Sequence, residues 1–189
     1  MEVTLFCLLD TEPTLTVYDT RIDSYIESVS VRVSDIVSIT VLGNGLFDAS
    51  LLSTVPNVQK IRLSGVTVYN TEQLAVPSLH SVKMYKCKLD DSSHSSLIDS
   101  FIYNCPSLKE LHIVSCGLEG SISPNICTLS ALRSLDLSCN RLRGTVPIIR
   151  TLYNLNVSNN LLDIDSDLKS DLIQSIPKVQ LHHQYTVLI

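Results

Sequence analysis

The 189-residue sequence contains no tryptophan, and aromatic residues make up only 5% of it, so any core must be built from aliphatic side chains. Charged residues are also sparse, at 17%, against 44% hydrophobic residues. This balance is far too apolar for a disordered chain and predicts a packed domain. Long apolar runs are lacking as well. No stretch reaches the roughly 18 residues of a membrane-spanning helix, so none is predicted.

The N-terminus lacks the features of an export signal. Its second residue is Glu2, where a secretory signal has basic residues, and the apolar stretch at residues 3–9 is short for a signal core. No small-residue cleavage site follows that stretch. These features favour a cytoplasmic protein.

Motifs that carry chemistry are missing too. The sequence has no C-x-x-C pair, no zinc-ligand spacing, no glycine-rich phosphate loop and no G-x-S-x-G. Asp163, Asp165 and Asp167 resemble the start of a calcium loop, but that loop needs glycine and glutamate where this chain has Leu168 and Gln174. Acids at the N-terminus of a helix are the better interpretation. We therefore predict no metal, no cofactor and no enzymatic activity.

Leucine recurs at a fixed spacing together with asparagine or cysteine. In LRSLDLSCNRL, residues 132–142, the leucines and Asn140 follow the pattern L-x-x-L-x-L-x-x-N-x-L. The same pattern fits segments 79–89, 108–118 and 152–162, with Cys87, Cys116 and Asn160 at the asparagine position. Weaker copies begin at residues 12, 36, 58 and 176. Such a period is typical of an array of stacked units, none of which can bury its apolar face alone.

This pattern resembles the leucine-rich-repeat family over nearly the whole chain. The resemblance implies an α/β solenoid, a curved right-handed coil with a parallel β-sheet on its concave face and mostly irregular or short helical convex segments. We expect one domain over residues 1–189, with repeat starts near 12, 36, 58, 79, 108, 132, 152 and 176, and with residues 1–11 as an N-terminal cap or partial repeat. LEGSISP and LRGTVP, at 118–124 and 142–147, resemble plant-type repeats, whereas the unit ending in NCPSL resembles longer cysteine-containing repeats with a convex helix.

The pattern also predicts which side chains point inward. Side chains alternate across a strand, so Leu135 and Leu137 share one face and point into the solenoid, while their neighbours face solvent. The chain then turns, and the side chain at the asparagine position can hydrogen-bond the peptide groups that leave the strand. A thiol fills the same small space.

Cysteines at or next to this position are explained by packing, which predicts reduced thiols, as expected of a cytosolic protein. A disulfide between Cys105 and Cys127 is the alternative, because both precede strands of neighbouring coils.

Positive charge is concentrated in the middle of an acidic chain. The net charge is −5, yet residues 51–150 carry ten basic and seven acidic side chains, against two and eight in the first fifty residues. Like charges on adjacent strands repel, so their clustering on one face suggests a site that attracts an acidic partner. The predicted concave patch consists of Lys60, Arg62, Lys83, Tyr85, Lys86, Lys109 and His112.

The family resemblance implies a non-catalytic module that binds another protein on its concave strand face. The patch predicts that this protein has an acidic surface. An adaptor or regulatory subunit, such as a substrate receptor or inhibitor, remains an alternative, as does the binding of an anionic polymer through the basic central coils. The acidic net charge of the whole chain argues against nucleic acid as a ligand.

The C-terminal end of the array is expected to be its weakest part. Repeat arrays need terminal caps with a polar outer face, but the last predicted strand is followed by the apolar residues Val187, Leu188 and Ile189. An open edge with apolar ends favours pairing, so end-to-end self-association is possible.

Overall fold

The computed structural model describes residues 3–6, 14–18, 33–90 and 93–184. Its strands, in chain order, are β1 Val3–Phe6, β2 Thr14–Tyr18, β3 Ser38–Leu42, β4 Leu46–Asp48, β5 Lys60–Ser64, β6 Thr67–Tyr69, β7 Ser81–Tyr85, β8 Lys88–Leu89, β9 Glu110–Val114, β10 Ser134–Asp136, β11 Arg143–Gly144, β12 Asn154–Asn156, β13 Leu161–Leu162 and β14 Lys178–Gln180. Its α-helices are α1 Ser93–Asn104 and α2 Ser166–Ser175, and short 3-10 helices occupy Val33–Asp35, Ala49–Thr54, Thr71–Gln73 and Pro124–Thr128.

The main sheet runs through the whole described chain in the order β1-β2-β3-β5-β7-β9-β10-β12-β14. From β2 to β14 all neighbours are parallel, and each strand begins two residues after one of the expected repeat starts. This is the parallel sheet that the leucine pattern predicts. Strand β1 differs, because it pairs antiparallel with β2, Val3 opposite Val17.

Inward-pointing residues of each coil stack into one continuous aliphatic core. In β3 and β9 buried residues alternate with half-buried ones, as the period of two requires. Leu132, Leu135 and Leu137 are fully buried, as are Leu108 and Leu111 of the preceding coil. No coil closes its own core, so each depends on its neighbours for burial.

The buried amide of Asn140 satisfies the turn that ends its strand. Its Oδ1 accepts hydrogen bonds from the backbone N–H groups of Cys116 and Leu118, at 3.0 and 3.1 Å. Its Nδ2 donates to the carbonyls of Ile113, Leu137 and Ser138 at 2.7, 2.9 and 3.2 Å. One side chain thus joins two neighbouring coils, which confirms the role predicted for this position.

The same position is filled differently along the array. Asn160 repeats the arrangement one coil later, accepting from the Leu142 N–H and donating to the Leu137 carbonyl. In the last coil Gln184 takes this role, accepting from the Leu162 N–H at 3.1 Å and donating to the Val157 carbonyl at 2.9 Å. The Cys116 thiol donates to the Val114 carbonyl at 3.3 Å, within its own coil.

The residue before the asparagine position of the repeat has a left-handed backbone conformation, with positive φ, in seven successive coils. Five of these residues are not glycine, among them Lys86 with φ 51°. At Gly65, φ is 77°, and an added Cβ would lie 2.6 Å from the Gly43 carbonyl oxygen. Close packing between the turns of adjacent coils therefore requires glycine here.

The convex side is partly helical and partly irregular. The spacing of Leu97, Ile98, Phe101 and Ile102 predicts a helix, and these residues are the buried face of α1. Two short parallel sheets, β4-β6-β8 and β11-β13, lie after the turns and were not expected from the sequence.

Helix α2 explains the acidic run that resembles a calcium loop. Asp165 caps the helix, its Oδ1 accepting from the Leu168 N–H at 2.8 Å. A carboxylate is favourable there because it lies at the positive end of the helix dipole. The interpretation as a helix N-terminus is confirmed.

The cysteines of the described segments, Cys87, Cys105, Cys116, Cys127 and Cys139, are all free thiols. Cys105 is fully buried, which raises the pKa of its thiol to about 12, whereas Cys127 is exposed. The alternative disulfide between these two residues is therefore absent. None of the helices in these segments is long and apolar enough to cross a membrane.

Replacing Asn140 by alanine tests the role of the buried amide. The variant would leave several buried backbone groups without partners, each costing about 1–3 kcal/mol, so the free energy of unfolding should fall by about 3 kcal/mol or more. Urea denaturation followed by circular dichroism measures this loss. The exposed Asn125→Ala is the control and should change stability by less than about 0.5 kcal/mol. Equal effects of the two substitutions would contradict the assigned role.

The last coil should open before the central ones. Val179 and Leu181 are only half-buried, and Ile173 of α2 is 56% exposed, whereas Leu135 of β10 is fully buried. Hydrogen exchange should therefore be faster for residues 163–184 than for residues 108–142. Uniform protection of all these residues, in a protein that sediments strictly as a monomer, would contradict this prediction.

Candidate functional site

The outward-facing residues of the parallel strands form rows across the concave face, because the strands are in register. The first row consists of the residues that begin each strand of the main sheet from β3 onward: Ser38, Lys60, Ser81, Glu110, Ser134, Asn154 and Lys178. Two residues further along each strand lies the middle row: Thr40, Arg62, Lys83, His112, Asp136, Asn156 and Gln180. Neighbouring members of a row are about 4.8 Å apart, the spacing of strands in a sheet.

A depression of about 560 Å³ lies on this face over strands β3 to β9. Four cationic side chains of the predicted patch line it: Lys60, Arg62, Lys83 and Lys109. Lys60, Arg62 and Lys109 are exposed, and Lys83 is half-buried. The concentration of positive charge predicted from the sequence is thus present at one place on the surface.

The patch also contains an anion, Glu110, which the prediction left out. Its Oε2 lies 3.0 Å from the Lys83 Nζ and accepts a 2.7 Å hydrogen bond from the Ser81 hydroxyl. The Ser81 hydrogen bond and the Lys83 ammonium hold the pKa of Glu110 below its ordinary value of 4.5. Glu110 is therefore ionised at neutral pH and balances the charge of Lys83.

Tyr85 supports the patch by positioning a cation. Arg62 lies with its guanidinium carbon 5.8 Å from the centre of the Tyr85 ring, one strand away. Such a contact is weakly attractive at an exposed site and restricts the arginine side chain. The contact therefore limits the orientations of the exposed Arg62 side chain.

His112 belongs to the middle row but adds no charge at neutral pH. Burial, helped by the nearby Lys83 ammonium, lowers the pKa of its imidazole. Its Nε2 lies 2.8 Å from the Ser134 Oγ, at hydrogen-bond distance. His112 therefore presents a neutral, hydrogen-bonded ring at the edge of the patch.

Lys86 lies apart from the other members of the predicted patch. It occupies the left-handed turn after β7, beyond the strand, and does not line the depression. The structure thus brings four of the seven predicted residues into the depression and places Tyr85 and His112 beside it.

In the middle row, polar side chains replace the cations in the coils that follow. Asp136 accepts hydrogen bonds from the N–H and hydroxyl of Ser138, and its Oδ2 accepts from the Asn156 Nδ2 at 3.1 Å. In the first row, the Asn154 Nδ2 donates to the Ser134 hydroxyl at 3.1 Å. The repeated D-L-S and N-V-S segments carry a weak signal of this ladder.

Replacing Glu110 by glutamine tests the internal ion pair. The folded-state pKa of Glu110 is depressed, so its contribution to stability is present above the unfolded value, near pH 4.5, and is lost as the pH falls through the lower folded value. Glu110→Gln should therefore be less stable than the wild type at pH 7, and this difference should shrink at about pH 3. Denaturation at both pH values measures it. Glu119→Gln, which removes a carboxylate 3.3 Å from Arg141, controls for the loss of one negative charge.

Comparison with known proteins identifies the repeat. The Leucine Rich Repeat family model matches residues 107–129 and 131–149. A comparison with curated protein sequences finds no match.

Solved structures give the same fold at low sequence identity. A chain of the octameric complex of latrophilin 3, Unc5D and FLRT2, the last labelled as the leucine-rich-repeat component, is 17% identical with a TM-score of 0.61, over 81% of this chain and 47% of that one. The ectodomain of the Arabidopsis receptor kinase HAESA, in complex with an N-terminally extended IDA peptide hormone, is 16% identical with a TM-score of 0.61, over 88% and 28%. The plant peptide hormone receptor RGFR1, in complex with RGF2, is 18% identical with a TM-score of 0.58, over 89% and 30%.

The chain thus spans less than half the length of each of these structures. The matched repeats, the parallel sheet in register and the buried amides at the turns show that this chain contains leucine-rich repeats and has the leucine-rich-repeat solenoid fold.

Proposed function

We propose that this chain is a non-catalytic protein-interaction module that binds a partner with an acidic surface on its concave face. The observation that carries this proposal is the depression with Lys60, Arg62 and Lys109 around it in a chain whose net charge is −5. Exposed cations gathered on one face of an acidic protein steer anionic partners toward that face and set their orientation.

The shape of the face supports a macromolecular partner. The strands present a broad surface of short polar side chains at regular spacing, with Ser38 and Thr40 of β3 beside the cations of β5. Such a surface offers many hydrogen bonds over a wide area, whereas sites for small molecules are concave and mostly apolar.

The structural neighbours support a protein or peptide as ligand. The HAESA and RGFR1 structures hold peptide hormones, and the FLRT2 complex is an assembly of proteins. The concave sheet gives this chain a surface of the same architecture. An adaptor role would use this surface in the same way, with the partner presented to another protein.

Two potential catalytic groups are held in forms that favour binding over catalysis. Cys105 is buried and protonated, and His112 is hydrogen-bonded to the Ser134 hydroxyl at the sheet surface. A thiol protected in this way is inert, since reactive cysteines are partly exposed thiolates. The cytoplasmic location expected from the N-terminal residues stays a prediction.

Charge reversal in the depression tests the proposal. Lys60→Glu combined with Arg62→Glu should remove from affinity capture the partners that bind the wild type, because the reversed charges repel an acidic surface. Quantitative mass spectrometry of the captured proteins measures the loss, and circular dichroism checks the fold. The matched control, Arg141→Glu with Arg143→Glu, makes the same charge change outside the main sheet.

Unchanged capture by the patch variant, together with loss in the control, would refute the proposal. The slope of the logarithm of the binding constant against the logarithm of the salt concentration distinguishes a protein partner from an anionic polymer, because each phosphate contact steepens this slope by about one.

A further inference from the structure

A second line of cations continues the depression along one edge of the sheet. We call this edge the N-terminal rim. It consists of the first residue of each main-sheet strand from β5 to β14 and of the residue before it. Four cationic residues lie on it: Lys60, Lys109, Arg133 and Lys178. All four are exposed.

The rim is held as rigidly as the sheet. The residue before each strand belongs to the same hydrogen-bond ladder: the N–H of Lys109 donates to the His80 carbonyl, that of Arg133 to the Lys109 carbonyl, and that of Tyr153 to the Arg133 carbonyl, each at 2.8 Å. The backbone positions that carry the charges are therefore fixed relative to one another.

Side-chain contacts hold the two outer cations at the rim. The Lys178 Nζ lies 5.1 Å from the centre of the Tyr153 ring, which is itself 53% exposed. The Arg133 guanidinium donates through Nη1 to the carbonyls of Ser130 and Leu132, at 2.9 and 3.0 Å. Since a guanidinium has five N–H donors, further donors can meet an anion.

Charge is distributed unequally between the two edges of the sheet. The opposite edge of the same strands is formed by the left-handed turns Gly65, Lys86, Ser115, Cys139, Asn159 and His183, in which Lys86 is the one lysine and no arginine occurs. The rim has four cations and one anion, and that anion, Glu110, is already paired with Lys83. An acidic segment is therefore drawn to the rim and not to the turn edge.

The length of the rim sets the length of its ligand. From β5 to β14 there are five strand spacings of about 4.8 Å, or roughly 24 Å. An extended peptide rises about 3.4 Å per residue, so about seven residues cross this distance. Such a segment would run across the strands, with acidic side chains opposite the cations.

Two features favour a peptide over a nucleic acid. The carboxylates of Glu110 and Asp136 lie in the first and middle rows, where they repel a continuous polyanion. A peptide can instead place backbone N–H groups or neutral side chains there, opposite Asp136 and the amides of Asn154 and Asn156.

We infer that the N-terminal rim binds an extended acidic peptide segment of about seven residues that crosses the strands, with Arg133 and Lys178 as contacts beyond the depression. The inference rests on the proposed function, because the same peptide would also contact the cations of the depression.

Two labelled synthetic peptides with blocked ends test the inference by fluorescence anisotropy. One has about seven residues with glutamate and threonine alternating, and the other has about three residues with two glutamates and reaches only the depression. Arg133→Gln with Lys178→Gln should weaken the longer peptide about three- to tenfold at roughly 0.1 M salt and leave the shorter one unchanged. Lys178→Gln alone, which leaves the Arg133 contacts intact, should weaken the longer peptide about twofold.

Controls separate the failure of this inference from the failure of the proposed function. Arg141→Gln with Arg143→Gln removes the same charge outside the main sheet and should change neither peptide. If Lys60→Gln with Arg62→Gln weakens both peptides while the Arg133 and Lys178 variants weaken neither, the depression stands and the rim is wrong. If the Lys60 and Arg62 variant also binds both peptides like the wild type, the proposed function fails as well. Tighter binding of a seven-nucleotide oligothymidylate than of the longer peptide would overturn the choice of ligand.

Discussion

From the coil of β7 onward, each coil has a polar side chain or a thiol where the strand ends and the chain turns, whereas the buried Val66 takes this position in the coil of β5. Backbone N–H and C=O groups leave the ladder at this point, away from water, and each would be costly if left without a partner. Asn140 supplies five hydrogen bonds to two coils, and Asn160 and Gln184 continue the arrangement. The turn can then be tight enough for leucines of successive coils to stack without a gap.

The rigid turn at one end of each strand and the hydrogen-bond ladder keep the strands in register. Register determines which side chains lie next to one another on the concave face. Lys60 and Arg62 of β5 lie far from Lys109 in the chain, yet all three share one depression because only β7 separates β5 from β9. The same register places Glu110 beside Lys83 and so neutralises part of the patch. A binding surface of this kind is preorganised, because its charges are carried by strands and not by loops.

The sequence predicted most of the fold and only part of the site. The leucine pattern places each parallel strand, and the spacing in residues 97–102 predicts helix α1, because both signals arise from burial with a fixed period. Gln184 was missed as a turn residue, since the pattern names asparagine or cysteine, although glutamine carries the same amide. The convex sheets were missed because two- and three-residue strands have too few positions to show a period.

By itself the sequence determined that the chain is a stack of coils, which residues point inward and that positive charge collects near the middle, because these properties follow from local spacing. The tertiary structure alone decided how the charges are arranged. The Lys83–Glu110 pair, the Arg62–Tyr85 contact and the basic rim from Lys60 to Lys178 each join residues of different strands. Their distances depend on strand register and side-chain orientation, which no single repeat contains.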